Sequence, residues 1–124
     1  MMNREELISK LIELPFEVTS KNKSVDSFFI DIGYLDLSIA VTEEEILLKV
    51  KKRPLLIQKW QAWSEDKRTA GWYIRPIDNI YEIGYINING VLKYSERVED
   101  EYSAFSKYIF NEINDMKSSI IYNN

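Results

Sequence analysis

Neither histidine nor cysteine occurs among the 124 residues. Without cysteine there are no disulfides, no zinc–thiolate sites and no thiol nucleophiles. The lack of histidine excludes more, because histidine is the usual general base near neutral pH and the commonest metal ligand. Ser-His-Asp triads, Cys-His dyads and the common zinc and iron sites all fall away. An enzyme built from this chain would have to work with carboxylates, lysine or tyrosine. Glycine is scarce too, at 4 residues. None sits in a G-x-G-x-x-G, Walker or G-x-S-x-G arrangement, which leaves no phosphate loop and no nucleophile elbow. "DKRTAG" and "DNIYEIG" lack calcium-loop spacing, so no metal or cofactor is expected.

Long apolar runs are missing as well. Nothing approaches the roughly 18 residues of a spanning helix. Carboxylates interrupt the opening "MMNREELISKLIEL", which does not read as a signal peptide. No membrane partner and a cytoplasmic location are the expectations. Basic charge is in deficit, with 16 Lys and Arg against 20 Asp and Glu and a net charge of -4. Nucleic-acid binders normally carry a basic face. The one basic cluster, Lys49, Lys51, Lys52 and Arg53, is satisfied by a solvated strand or turn, so no direct nucleic-acid partner is expected. The acidic balance suits a basic protein partner better.

What is present is an ordinary globular mix, 45% apolar and 29% charged. The length fits one domain spanning residues 1–124. Asn3 with Glu6 forms a capping pattern, and Leu7, Ile8, Leu11 and Ile12 follow at helical spacing. This predicts a helix over residues 4–14, stopped by Pro15. Phe16 and Val18 then alternate with polar residues, and residues 21–24 read as a turn. From Phe28 to Val41 a near-strict alternation predicts a long strand with a bulge at Gly33. Thr42 and Glu45 form a capping box, yet Ile46, Leu48 and Val50 alternate. The expectation for residues 45–52 is a strand, with a helix as the alternative. "LLIQKWQAW" has the same ambiguity, and a hairpin is favoured.

"GWYIRP" and "IYEIGYINI" read as strands rich in aromatic and β-branched residues. Asn89-Gly90 predicts a type I′ turn, and "VLKYS" a short return strand. From Ser95 onward the period becomes helical. Val98, Tyr102, Phe105, Ile109, Ile113, Met116 and Ile120 form one stripe. Glu96, Glu99, Asp100 and Glu101 crowd its first turn, and residues 121–124 are expected to fray. The fold class expected is α+β: one domain, with an antiparallel sheet flanked by an N-terminal and a long C-terminal amphipathic helix.

All three tryptophans fall in "WQAWSEDKRTAGWYIRP". Trp72 suits a strand packed on a helix. Trp60 and Trp63 share a face only if their segment is helical, and then both turn inward. On a strand Trp63 would be exposed beside Glu65 and Asp66, a place where interfaces form. The triplet Glu43, Glu44 and Glu45 serves helix capping or a docking surface. Asp31 and Asp36 would share an open sheet face with Tyr34. Eight tyrosines add amphipathic contact surface.

A short, acidic, single-domain chain with W-x-x-W and "GWYI" on predicted strands resembles the bacterial immunity proteins of polymorphic toxin and contact-dependent growth inhibition systems. The resemblance implies an antidote that binds one cognate toxin domain, often a basic nuclease, and blocks its active site. The partner-binding residues it suggests here are Asp31, Asp36, Glu43, Glu44, Glu45, Trp63, Glu65 and Asp66. No catalytic residue is implied. Two alternatives remain open. One is a small acidic, dimeric chaperone of a secreted effector, with the C-terminal stripe as its seam. The other is a histidine-free enzyme.

Overall fold

A computed structural model describes residues 3–66 and 70–122. Over the described residues the chain lays down five helices, then a three-stranded sheet, then one long helix. Helix α1 (Arg4–Leu11) starts as expected, with the Asn3 side chain accepting the Glu6 N–H at 2.8 Å. It ends earlier than residue 14, and α2 (Leu14–Ser20) begins again with Pro15 in its first turn. There the missing proline N–H costs nothing. Pro15 therefore opens a helix, and Phe16 and Val18 lie on it.

The strand expected over Phe28–Val41 is not formed. Its first part is helix α3 (Val25–Ile32), capped by Ser24, whose hydroxyl accepts the Ser27 N–H. Gly33 is not a bulge. It closes the helix in the left-handed region at φ 76, and Tyr34 N–H reaches back to Phe29 C=O at 3.0 Å. Only glycine takes that conformation without steric cost. Phe28 and Phe29 are buried side by side while Ile30 is 62% exposed, a helical pattern that short-range alternation mimics.

Residues 45–52, expected as a strand with a helix as the alternative, lie in helix α4 (Glu43–Lys52). The capping box decides it: Thr42 accepts the Glu45 N–H, and Glu45 accepts the Thr42 N–H. Ile46 and Val50, one turn apart, carry the buried side. After Pro54 comes helix α5 (Leu55–Asp66) in place of the expected hairpin. Leu56, Ile57, Trp60 and Ser64 face inward. Trp60 is fully buried, and its indole N–H donates to Ile12 C=O at the end of α1.

The sheet runs β1 (Gly71–Ile77), β2 (Ile80–Ile86), β3 (Leu92–Val98), antiparallel in that order. Asp78, at φ 54, turns the chain between β1 and β2. The second turn is not type I′, since Asn89 does not adopt positive φ. It is closed by Gly90 N–H to Asn87 C=O and Asn87 N–H to Val91 C=O, with Gly90 at φ 78. The register slips at Tyr85/Ile86 beside it.

Val98 belongs to β3 rather than to the helical stripe, and Glu96 with it. The long helix α6 (Glu101–Tyr122) starts after Asp100, whose carboxylate accepts the Ser103 N–H. It runs to Tyr122, and residues 123–124, the rest of the end expected to fray, lie outside the described residues. The inner sheet face, with Ile74 and Ile83, packs on α6, while α5 lies against β1. Helix α1 packs on α3 and α4. The architecture is the expected α+β single-domain arrangement with a long C-terminal helix. Among the described residues no helix is long and apolar enough to cross a membrane.

Candidate functional site

The acidic residues singled out by the sequence are placed in separate local roles. Asp31, on α3, pairs with Lys23 at 3.2 Å. Asp36 caps a turn, accepting the Ser38 N–H at 2.8 Å and the Ser38 hydroxyl at 2.7 Å, and those bonds lower its pKa. The sheet face expected to carry Asp31, Tyr34 and Asp36 does not exist, because Asp31 lies on α3, Asp36 in a turn, and Tyr34 is fully buried. Lys117 of α6 lies 4.0 Å from the Tyr34 ring centroid and donates to the carbonyls of Asp36 and Ile39. Glu43 and Glu44 occupy the first turn of α4. Glu45 is bound by Arg4 through two bonds of 2.7 Å, chiefly through which its carboxyl is held down to about 2.

Trp63 follows the helical alternative. It is half-buried, and its indole N–H donates to Glu112 at 3.0 Å. Its ring stands edge-on to Trp60. Glu65 accepts from Gln61, one helical turn earlier. Asp66 lines a cleft with Phe16, Lys59 and Trp63, of about 200 Å³. That is below the usual size of a small-molecule site, roughly 300–1,000 Å³. Lys67 and Arg68, from the charged run after Trp63, lie outside the described residues.

A different region gathers exposed apolar groups. Ile88 (90% exposed), Val91 (49%), Leu92 (53%) and Tyr94 (41%) lie within one short segment at the β2–β3 turn. Tyr94 connects this segment to a cluster of rings on the inner sheet face. The Trp72 ring stands edge-on to Tyr85 at 5.3 Å and to Tyr94 at 5.7 Å. The three residues come from three adjacent strands, with Trp72 opposite Tyr85 and Tyr85 opposite Tyr94. Tyr94 hydroxyl donates to Glu96, which also pairs with Lys107 of α6 at 2.7 Å. The bond to Glu96 raises the Tyr94 pKa, and Lys107, ahead of Tyr94, lowers that of Glu96.

The outer sheet face gathers polar side chains from β1, β2 and β3 at its centre. Glu82 sits at its centre, only 8% exposed. It accepts from Tyr73 hydroxyl at 2.6 Å and from Arg75 at 3.0 Å, and Arg97 is its register partner on β3. Burial and the Glu82 carboxylate push the Tyr73 hydroxyl up to about 12. Gly84 is needed for close approach, since a Cβ there would run into the Tyr73 ring. The tyrosine therefore lies flat across the sheet.

None of Ile88, Val91, Leu92, Arg75 or Arg97 was singled out from the sequence. The signal was present in "INING VL", where apolar residues flank the turn on both sides. A strand pair with such residues at its tip leaves them in water unless a further layer covers them. Among the described residues no group of three or more acidic side chains is placed to hold a metal ion. What the arrangement offers is contact: an apolar tip, an aromatic cluster open at one side, and a strand beside them. Compared with known families, curated proteins and solved structures, the chain matches no family model, no curated protein and no solved structure.

Proposed function

We propose that this chain is a protein-binding domain that seats one partner against the β2–β3 end of its sheet. We take the partner to be a toxin domain neutralised in the cytoplasm, as the resemblance to immunity proteins implies. The observation that carries the binding site is the exposed set Ile88, Val91, Leu92 and Tyr94. Contiguous apolar and aromatic side chains left in water are the usual core of a protein interface. The net charge of -4 acts at longer range, drawing in a basic partner before contact.

The chaperone alternative needs a dimer seam on the C-terminal stripe. Phe105, Ile109 and Ile113 of that stripe are almost fully buried within their own domain, which favours the antidote reading. The test is co-expression with the toxin domain encoded beside this chain. The wild-type chain is expected to protect cells, and a Val91→Ser, Leu92→Ser double variant to lose protection while remaining folded. Failure of the wild-type chain to protect sinks the toxin reading. Full protection by the double variant moves the contact elsewhere on the molecule.

A further inference from the structure

The two outer strands of the sheet end differently. On β1, Ile74 N–H donates to the Ser64 hydroxyl at 3.0 Å. Ile74 C=O accepts from that hydroxyl and from Gln61, both at 3.2 Å. Helix α5 thus closes the β1 edge. Beyond β3 no strand or helix of the described residues pairs with the sheet. Alternate residues along β3 therefore turn backbone N–H and C=O groups outward, as any edge strand does. The open edge continues directly from the exposed Val91 and Leu92.

The chemistry on either side of β3 states what fits there. On the inner face Tyr94 is 41% exposed, and its ring belongs to the Trp72–Tyr85 cluster. An apolar or aromatic residue opposite Tyr94 would extend that cluster by one strand. On the outer face Arg97 stands opposite Glu82, which already accepts from Arg75 and Tyr73. One carboxylate between two guanidinium groups leaves one positive charge over. Lys93, exposed at the register slip, adds another. Glu96, by contrast, is paired with Lys107. Within β3, Lys93 and Arg97 are the charged side chains outside the Glu96–Lys107 pair, and both are positive, while Glu99 and Asp100 stand just beyond the strand's end.

A second copy of the chain fits this edge poorly. Antiparallel self-pairing centred on Ser95 sets Lys93 opposite the other copy's Arg97. Pairing centred on Tyr94 sets Leu92 opposite Glu96 and Val91 opposite Arg97. Like charges directly opposite one another destabilise the first pairing, and the second sets charged side chains against apolar ones.

We propose that β3 accepts, as a fourth strand, an extended segment of another protein that sets an apolar side chain against Tyr94 and a carboxylate against Arg97. Those two positions are three residues apart, so they fall on opposite faces of one strand. Backbone bonds supply the attachment, and the two side chains supply register and selectivity. This deepens the protein-binding reading and rests on it for the placement of the partner, but not on the partner being a toxin.

The test uses the full chain and two blocked ten-residue peptides, one alternating valine with glutamate and one alternating valine with lysine. Amide resonances of the isotope-labelled chain are followed by NMR during titration to about 1 mM peptide. The glutamate peptide is expected to shift and protect amides of β3, and the lysine peptide to bind at least about tenfold more weakly. Arg97→Glu is expected to reverse that preference. Lys93→Glu, which leaves the Glu82 cluster untouched, is expected to weaken the glutamate peptide in the same direction. Absence of β3 shifts with the glutamate peptide overturns the proposal, as do equal affinities for the two peptides or shifts confined to the helices. Loss of toxin protection alongside intact peptide binding would overturn the toxin reading and leave this one standing.

Discussion

The edges of the sheet are two solutions to one problem. A strand at the border of a sheet has backbone groups without a strand partner. On β1 the problem is solved inside the chain: Ser64 and Gln61 of α5 bond Ile74, and Pro76 further along has no N–H to satisfy. On β3 the border is left to water, beside side chains that water does not favour. The difference shows where the fold is finished and where it leaves surface available. It also separates stability from binding, because Ile74 at the closed edge is a core residue, whereas on the open edge only Val98, at the far end from the exposed tip, packs against the core.

That separation can be broken at its strongest point by removing the anchor of α5. Trp60→Ala empties a fully buried site and takes away the bond to Ile12. Urea denaturation is expected to show a loss of about 3–5 kcal/mol, with an unchanged transition midpoint as the contrary result. A narrower cut is Ser64→Ala, which leaves the buried Ile74 N–H without its partner. This is expected to cost about 1–3 kcal/mol and to speed hydrogen exchange at Ile74 more than at any β3 amide. Equal exchange at both edges would erase the contrast.

Acid should act most strongly at the α1–α4 junction, and less at Glu96 of β3, whose pKa is lowered chiefly by Lys107. Glu45 is held to about 2 from an ordinary 4.5 by Arg4, ahead of its bonds to Thr42. Its folded pKa is lowered, so the stability it contributes is complete above pH 4.5 and lost as pH falls toward 2. The pair is solvent-accessible, which keeps that loss to about 1 kcal/mol. Arg4→Ala is expected to flatten this part of the stability–pH curve. The smallest stability effect belongs to the open edge, where Val91→Ser with Leu92→Ser should change unfolding free energy by no more than about 0.5 kcal/mol. The same pair should abolish partner binding. A large loss of stability would show that the open edge belongs to the core after all.

These contrasts track what could be read in the sequence. The Asn3 cap, the two aromatic strands, the return strand and the long C-terminal helix follow from local signals. Phe28 to Trp63 misled because short apolar runs fit periods of two and of 3.6 about equally well. The caps carried the missing information: Ser24 before α3, Gly33 after it, and the reciprocal Thr42–Glu45 bonds. The acidic candidates rest on charge, and charge alone does not say whether a carboxylate is free. Glu45 is bound to Arg4, Asp36 to Ser38 and Asp31 to Lys23. The apolar tip does not stand out in the sequence, because isoleucine, valine and leucine in strands are ordinarily core residues.

The sequence by itself determined the class of the fold, its last helix and the exclusion of histidine and cysteine chemistry. Composition and caps are local properties, and they act within a few residues. Tertiary structure alone decided which aromatic residues are buried and which sheet edge is closed. Trp60 is core because it meets Ile12, 48 residues away in the chain. The β1 edge is closed because Ser64 meets Ile74 across the connection between α5 and the sheet. Such contacts depend on where distant segments come to rest, and no spacing within either segment records them.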